Sequence, residues 1–135
     1  MVEEVYAPII DTQMTLKDAL FQVCHVSRAQ NKLVRGTRQT IKKILRKEAL
    51  VVFLTEDSNK NVGELIKALT TKYDIPLLPL EDSTELGKIV GFEKVKLGGE
   101  TRVAKCSVAC VVDYVRNSEG KVFLENTLRD MQAKN

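Results

Sequence analysis

Eight cationic side chains and no acidic side chain occur between Asp18 and Glu48, which is the pattern of a surface that binds a polyanion. The eight are Arg28, Lys32, Arg35, Arg38, Lys42, Lys43, Arg46 and Lys47. A localised positive field attracts polyanions, and arginine can contact phosphate oxygens in a bidentate manner. The alternative is a solvent-exposed basic helix face, but such a face usually carries acids as i,i+4 partners. The sequence therefore predicts a phosphate-binding surface.

A second basic group follows later in the chain, where it could hold another part of the same polyanion. Its members are Lys88, Lys94, Lys96, Arg102 and Lys105. Two such groups on one fold would suit the backbone of an RNA. The net charge is only +3, so this prediction depends on how the charges are distributed and not on their sum.

Residue patterns of enzymes and metal sites are absent from the sequence. It has neither a G-x-x-x-x-G-K-[ST] loop nor a G-x-G-x-x-G motif. The only histidine, His25, follows Cys24, and adjacent helical positions do not face each other. Cys106 and Cys110 are expected to share one face of one strand, and no second Cys/His pair completes a zinc site. We therefore expect no metal and no cofactor.

Glu56 and Asp57 leave one enzymatic alternative open. They follow an apolar run that begins at Ala49 and is typical of a strand buried on both faces. Functional groups of α/β enzymes lie at the carboxyl ends of such strands. Acids at that point also favour the start of a following helix, so we expect no catalysis and retain a small cytosolic enzyme as the rival hypothesis.

The elements that position these residues are those of one domain. Of the 135 residues, 44% are hydrophobic and 29% are charged, as in a globular protein. We predict a flexible arm over residues 1–14 and a single domain over 15–135. No apolar run approaches the roughly 18 residues of a membrane span, and no leader is recognisable. The three cysteines are expected to be reduced, as in a cytosolic protein.

A helix is predicted after Gly36, with an apolar half for packing and a cationic half for binding. The apolar half consists of Thr37, Ile41, Ile44 and Leu45. The cationic half, called here the cationic face, consists of Arg38, Lys42, Lys43, Arg46 and Lys47. Backbone N–H groups at the start of this helix would attract phosphate.

The remaining elements alternate between helix and strand. Helix starts are predicted at Thr15, Asn61 and Asp82, each followed three residues later by an acid. Pro76 and Pro79 indicate a strand end or edge, and Gly91 is predicted to end the short helix after Asp82. A hairpin turning at positions 98–99 then leads into a long strand over 103–112. We predict a three-layer α/β/α sandwich with a mixed central sheet, closed by a C-terminal helix.

The run Arg35-Gly36-Thr37-Arg38-Gln39-Thr40-Ile41-Lys42 resembles the helix start of the kink-turn RNA-binding superfamily, which includes the ribosomal L-seven-Ae and L-thirty-e proteins. Ile75-Pro76, Ser83 with Leu86-Gly87, and Gly91 match its second signature region. Typical kink-turn readers carry Asn-Glu where Arg38-Gln39 stand here. The branch that carries Arg-Glu at this point is the eukaryotic S-twelve family of small-subunit ribosomal proteins, which this chain resembles in its CSVACVVDY segment as well.

The resemblance implies a structural constituent of the eukaryotic small (40S) subunit that binds 18S-type rRNA at the beak of the head. It also implies that the protein is assembled into ribosomes in the nucleolus and works in the cytoplasm, where neighbouring ribosomal proteins are its partners. No membrane, no small-molecule substrate and no catalysed reaction are expected. The alternative is a kink-turn-binding protein of small nucleolar ribonucleoproteins. The predicted RNA-binding residues are Arg35, Gly36, Thr37, Arg38, Gln39, Lys42, Lys43 and Arg46, with Lys88, Lys94, Lys96 and Arg102 in the second group.

Overall fold

A computed structural model describes residues 15–91, 93–95, 97–99, 101–103 and 105–133, with only the backbone described for 93–95, 101–103 and 133. The predicted arm over 1–14 lies outside these residues. The helices are α1 (Leu16–Ala29), α2 (Thr37–Leu45), α3 (Lys60–Lys72), α4 (Ser83–Ile89) and α5 (Glu119–Ala133). The strands are β1 (Leu33–Arg35), β2 (Val51–Thr55), β3 (Leu77–Leu80), β4 (Glu93–Val95), β5 (Thr101–Val103) and β6 (Val108–Val111).

The central sheet has four strands in the order β1-β6-β2-β3 and is mixed, as predicted. Strands β2 and β3 are parallel, with Phe53 opposite Leu78. Strand β6 is antiparallel to both β1 and β2. Strand β3 lies at the edge, where Pro79 does not interrupt a central ladder.

Helices cover both faces of this sheet, so the predicted three-layer sandwich is confirmed. All five residues of β2 are buried, and successive side chains enter opposite layers. Val51 and Phe53 pack with residues of α1, α4 and α5. Val52 and Leu54 pack with Ile44 of α2 and with residues of α3. In the described part of the chain, no helix has the length and apolar character needed to cross a membrane.

The predicted helix starts at Thr15 and Asp82 are confirmed. Thr15 and Asp18 form a reciprocal capping box at α1, and Asp82 caps α4. The prediction of Asn61 as the cap of α3 was wrong. Asn59 is the cap, and its side-chain oxygen accepts a hydrogen bond from the Asn61 backbone N–H at 2.9 Å, so Asn61 already belongs to the first helical turn.

The predicted long strand over 103–112 was also wrong, because the chain leaves the extended path between β5 and β6. Strand β5 pairs with β4 in a separate hairpin whose turn includes Gly98 and Gly99, as predicted for the turn. The Cys106 backbone N–H donates to the Ser83 carbonyl at 3.0 Å, which holds this connection against α4. As a result Cys106 packs on the α1 side of the sheet and Cys110 on the α2 side, so the prediction of one shared face was wrong.

Candidate nucleic-acid interface

The start of α2 is an open helix end. Gly36 has φ 98° and ψ 153°, a conformation that is essentially restricted to glycine. Its N–H donates to the Val108 carbonyl at 2.8 Å, which attaches the turn to the sheet. No side chain of the described residues caps this end, and none of their atoms lies within 4 Å of where a Cβ on Gly36 would stand. The N–H groups of Thr37, Arg38 and Gln39 lack intrahelical acceptors at such a position, so an external anion can reach them.

The buried side of α2 fixes the direction of its cationic face. Thr40 and Ile44 are both fully buried. Thr40 lies beside Cys110, where burial raises the pKa of the thiol to about 11. Arg38 and Lys42 of α2 are exposed, as are Arg46 and Lys47 just past its end. No acid of the described chain forms an ion pair with Arg38, Lys42 or Arg46, although Arg46 interacts electrostatically with Glu48. The charges of Arg38 and Lys42 are therefore available to a partner.

Lys43 differs from the other members of the cationic face. It forms an ion pair at 2.9 Å with Glu48, which lies five residues later and beyond the end of α2. Lys47 has φ 61°, which turns the chain back so that the Glu48 N–H bonds to the Lys43 carbonyl at 2.9 Å. The hydrogen bond from Lys43 lowers the pKa of Glu48. Lys43 is therefore partly neutralised within the protein.

The predicted apolar half of α2 packs only in part. Ile44 is fully buried, but Leu45 is 51% exposed, so its assignment to the packing half was wrong. Thr37 and Ile41 are half-buried, and with Arg38 and Lys42 they line a shallow depression of about 440 Å³. Thr40 and Ile44 form the fully buried side of the helix, and Ile41 packs partly against the same core. The neighbouring ridge of Thr37, Ile41 and Leu45, spaced four residues apart, lies at the margin of this contact and is partly or largely exposed.

Arg35 connects α2 to the second signature region. Its guanidinium donates to the Gly91 carbonyl at 3.3 Å, and Arg28 donates to the Val90 carbonyl at 3.4 Å. Both carbonyls lie just past the end of α4, where cations interact favourably with the helix dipole. Gly91 has φ 69°, and a Cβ on it would collide with the Arg28 guanidinium. Arg28 was not among the predicted site residues, although its place in the last turn of α1 indicates such a contact.

The second basic group begins next to this connection. Lys88 is exposed in the last turn of α4. Lys94 and Arg102 occupy directly opposite positions in the backbone register of the β4–β5 hairpin. Lys96 lies outside the described residues. The fold therefore brings Arg35, Lys88 and the base of the hairpin to one end of α4.

The acids of the enzymatic alternative have different surroundings. One Asp57 carboxylate oxygen accepts hydrogen bonds from the Ser83 hydroxyl at 2.8 Å and from the Ser83 N–H at 3.2 Å. These hydrogen bonds lower the pKa of Asp57, and the bond from the Ser83 hydroxyl has the largest effect. Asp57 therefore stabilises the start of α4. Glu56 instead lines a cleft of about 370 Å³ together with Ser58 and Lys60. The rival hypothesis therefore depends on Glu56 alone.

Cysteine chemistry and metal binding gain no support from the geometry. Burial raises the pKa of Cys24 to about 12, which keeps the thiol protonated and unreactive. His25 is exposed, and its Nδ1 atom lies 3.4 Å from the Arg28 guanidinium. Among the residues that the structure describes, no group of three or more His, Cys, Asp or Glu side chains could hold a metal ion.

Comparisons of the sequence with known proteins found a family model and several relatives. Residues 18–111 match the model of the ribosomal protein L7Ae/L30e/S12e/Gadd45 family. The chain is 34% identical over 119 residues to small ribosomal subunit protein eS12 of Hordeum vulgare, covering 87% of this chain and 83% of the relative. It is 29% identical over 125 residues to eS12 of Drosophila melanogaster, covering 91% and 90%.

A solved structure shows the same fold. It is a protein of unknown function from Bacillus halodurans, with a TM-score of 0.62 and 18% identity, covering 84% of this chain and 98% of that one. At this identity the likeness concerns the fold alone. The sequence matches confirm the resemblance read from residues 35–42 and 75–91. The chain belongs to the ribosomal protein L7Ae/L30e/S12e/Gadd45 family and, within it, to the eS12 group.

Proposed function

We propose that this chain is a structural constituent of the eukaryotic small ribosomal subunit. Relatives that it matches over most of their length are named small ribosomal subunit protein eS12. In this proposal it binds 18S-type rRNA at the beak of the head and contacts neighbouring ribosomal proteins. It acts in the cytoplasm after assembly in the nucleolus, and it catalyses no reaction.

The observation that carries the RNA-binding part is the exposure of Arg38, Lys42 and Arg46 beside an open helix end. Arginine and lysine contacts to phosphates supply most of the affinity of such interfaces, and they carry little sequence information. The N–H groups after Gly36 would bind a phosphate at the helix start. Lys43 would contribute less, because Glu48 already accepts its hydrogen bond.

The second basic group would extend the contact along the RNA. Arg35 holds the α4 end through Gly91, which sets the position of Lys88 and of the hairpin relative to α2. Lys94 and Arg102 stand opposite each other in that hairpin. A-form RNA is recognised largely by its shape and its backbone, and two separated cationic groups could contact two stretches of that backbone.

A kink-turn reader of small nucleolar ribonucleoproteins is the second candidate. Arg38 and Gln39 are both exposed at the open start of α2, where base edges could be reached. Arginine has five donors and no acceptor, so Arg38 cannot accept hydrogen bonds from guanine as asparagine can. We expect a kink-turn RNA and a mutant lacking its sheared pairs to compete equally for the protein. Strong preference for the intact kink-turn would support the second candidate and contradict the ribosomal one.

Sedimentation of the tagged chain tests the ribosomal proposal. We expect stoichiometric travel with small subunits through a high-salt gradient. Arg38→Ala with Lys42→Ala should weaken this association, because two unpaired cations are lost. Arg116→Ala with Arg129→Ala removes the same charge from exposed positions near and on α5 and should not weaken it. Failure of the wild-type chain to sediment with small subunits would contradict the proposal.

A further inference from the structure

Strand β3 is an open edge of the central sheet. It pairs with β2 on one side, and among the described residues no strand lies on its other side. The Leu80 carbonyl accepts a hydrogen bond from the Glu56 N–H at 2.8 Å, so the backbone groups of Leu80 face β2. Because this direction alternates along a strand, the N–H and C=O of Leu77 and the C=O of Pro79 face outward. An edge of this kind can pair with a strand from another chain.

Pro79 limits the pairing that this edge can form. Proline has no N–H, so the outward side of β3 offers a donor at Leu77 and acceptors at Leu77 and Pro79. In strand addition, the backbone bonds hold the partner and the side chains beside the edge select it. With so few backbone groups available, recognition must depend mainly on what lies beside β3.

A cleft lies beside β3 on each face of the sheet. Pro79 borders the cleft of about 370 Å³ that Glu56 lines on the α3 side. The cleft on the other face, called here the α1-side cleft, has a volume of about 450 Å³. Side chains of an added strand point alternately to the two faces of the sheet, so they would enter the two clefts in turn. The apolar lining of the α1-side cleft consists of Leu16, Leu20, Leu80 and Ile89.

The charges around the α1-side cleft restrict what can occupy it. Its polar lining consists of Glu81, Asp82, Glu85 and Lys17. Lys17 is already paired with Glu85 at 2.7 Å. No cation of the described chain forms an ion pair with Glu81 or Asp82, and both acids are exposed. An occupant must therefore combine apolar side chains for the cleft with positive charge for its rim.

The chain itself supplies no such segment near the cleft. Residues 1–14 precede α1 but carry three acids and no Lys or Arg. A second copy that paired β3 with β3 would bring the same acids to the same rim, and like charges placed together are destabilising. The charge pattern therefore favours a different protein.

We propose that an extended segment of another protein, basic and with apolar residues at alternate positions, adds to β3 as a further strand of the central sheet. Its apolar side chains enter the α1-side cleft, and its cations pair with Glu81 and Asp82. Strand β1, which leads into α2, forms the opposite edge of the sheet, so this contact is separate from the cationic face. The inference rests on the proposed function, because it assigns a surface to the contact with neighbouring ribosomal proteins.

A capped peptide of sequence Lys-Leu-Thr-Val-Thr-Leu-Lys tests the surface on the full chain. At saturation it should slow hydrogen exchange of the outward-facing Leu77 amide roughly fivefold or more, while the Leu80 amide, which faces β2, should not change. One control peptide has glutamate in place of both lysines, and the other has proline in place of the valine. Both should bind roughly tenfold more weakly or less, because the first loses the charge pairing and the second loses a strand donor.

Glu81→Lys tests the acidic rim of the α1-side cleft. It should weaken binding of the basic peptide roughly three- to tenfold, as for the loss and reversal of an exposed ion pair. Asp130→Lys makes the same change of charge at an exposed position of α5 and should leave peptide binding unchanged. In purified small subunits, carbodiimide joins carboxylates to lysines in contact with them. We expect it to join Glu81 to a lysine of another protein.

Each contrary outcome has a separate meaning. Unchanged Leu77 exchange, equal binding of the three peptides, or cross-links from Glu81 to lysines of this chain alone would overturn the inference. Sedimentation of the wild-type chain with small subunits would still support the proposed function in those cases. Failure of the wild-type chain to sediment would contradict the proposed function, and the peptide experiments would still decide whether β3 accepts a basic strand.

Two further results would assign the edge to a different occupant. Leu77 exchange that is slow in the free protein and becomes fast on dilution would indicate a second copy at β3. Slow exchange that becomes fast in Ile9→Ser with Ile10→Ser would indicate that residues 1–14 occupy the edge. Either result would overturn the inference.

Discussion

The starts of α2 and α4 have the same backbone requirement and meet it in opposite ways. At α4, Asp82 accepts a hydrogen bond from the Thr84 N–H at 2.9 Å, and Asp57 accepts from Ser83. At α2, the helix begins after Gly36 with no acid in its first turn and no side-chain cap from the described residues. Free N–H groups at a helix start are satisfied by side chains, water or ligands. The α4 start is complete within the protein, whereas the α2 start can accept an anion from outside.

The cations of the two regions show the same difference. Arg28 and Arg35 donate to carbonyls at the end of α4, and Lys17 pairs with Glu85 at 2.7 Å. Among the described residues, no acid forms an ion pair with Arg38, Lys42 or Arg46, although Arg46 interacts electrostatically with Glu48. The proposed interface therefore depends on which charges the protein leaves unpaired, and the number of charges in a segment does not reveal it.

The largest effect is expected on RNA affinity from Arg38→Ala with Lys42→Ala. Loss of two phosphate contacts should weaken binding roughly tenfold or more at low salt and make the salt dependence shallower by about 2 in log–log slope. Titrations at several salt concentrations measure both quantities. The matched control is Arg116→Ala with Arg129→Ala. An unchanged slope in the α2 variant would show that its cations do not contact phosphates.

Gly36→Ala should lower the free energy of unfolding by about 2 kcal/mol, because the backbone conformation at this position strains any residue with a Cβ. The available space is not the cause, since a Cβ there would meet no described atom within 4 Å. Gly63→Ala is the control. Gly63 lies inside α3, and a Cβ on it would be 3.4 Å from the hydroxyl of Ser58, which precedes the helix. This is a van der Waals contact, so alanine should raise the free energy of unfolding by about 0.5–1 kcal/mol. Chemical denaturation that shifts both variants in the same direction would contradict this account.

Asp82→Ala should lower the free energy of unfolding by about 1 kcal/mol through loss of the α4 cap. RNA affinity should not change, because the α4 start is satisfied internally and is not assigned to the interface. Denaturation and RNA titration of the same preparation check the two expectations together. A parallel fall in RNA affinity would mean that the two helix starts do not have separate roles.

The smallest effect is expected on the pH dependence of folding stability, to which Asp57 contributes. Its folded-state pKa lies below the ordinary value of 3.8, so its stabilising contribution is present above that value and is lost as the pH falls through the lower, folded-state pKa. Wild type should therefore exceed Asp57→Asn in thermal stability near neutral pH, and the difference should shrink in acid. Asp130→Asn, at an exposed position of α5, serves as the control. A difference between wild type and Asp57→Asn that stays constant with pH would contradict this assignment.

Features with a local physical cause could be predicted from the sequence. The Thr15–Asp18 capping box and the Asp82 cap depend on residues three positions apart or fewer, and the burial of β2 follows from its unbroken apolar run. The order of these elements was sufficient for the sandwich class. The cationic face of α2 was predicted in the same way, since helical spacing alone separates Arg38 and Lys42 from Ile44.

Errors arose where a distant contact decides the outcome. The path between β5 and β6 departs from the predicted strand at Cys106, whose N–H bonds to Ser83 of α4. Leu45 was assigned to the packing half because of its position on the wheel, but it is 51% exposed whereas the adjacent Ile44 is fully buried. The pairing of Lys43 with Glu48 depends on the left-handed turn at Lys47, which the spacing of charges does not indicate.

The sequence by itself determined most of the helices and the layer class, because capping and periodicity act over a few residues. Its resemblance to known proteins indicated the family. Only the tertiary structure decided which cations remain unpaired and which apolar residues reach the surface. Arg35 lies 56 positions from Gly91 in the chain, and Leu45 is exposed although its neighbour Ile44 is fully buried. Such properties depend on what the fold places opposite each side chain, and the sequence does not specify that neighbour directly.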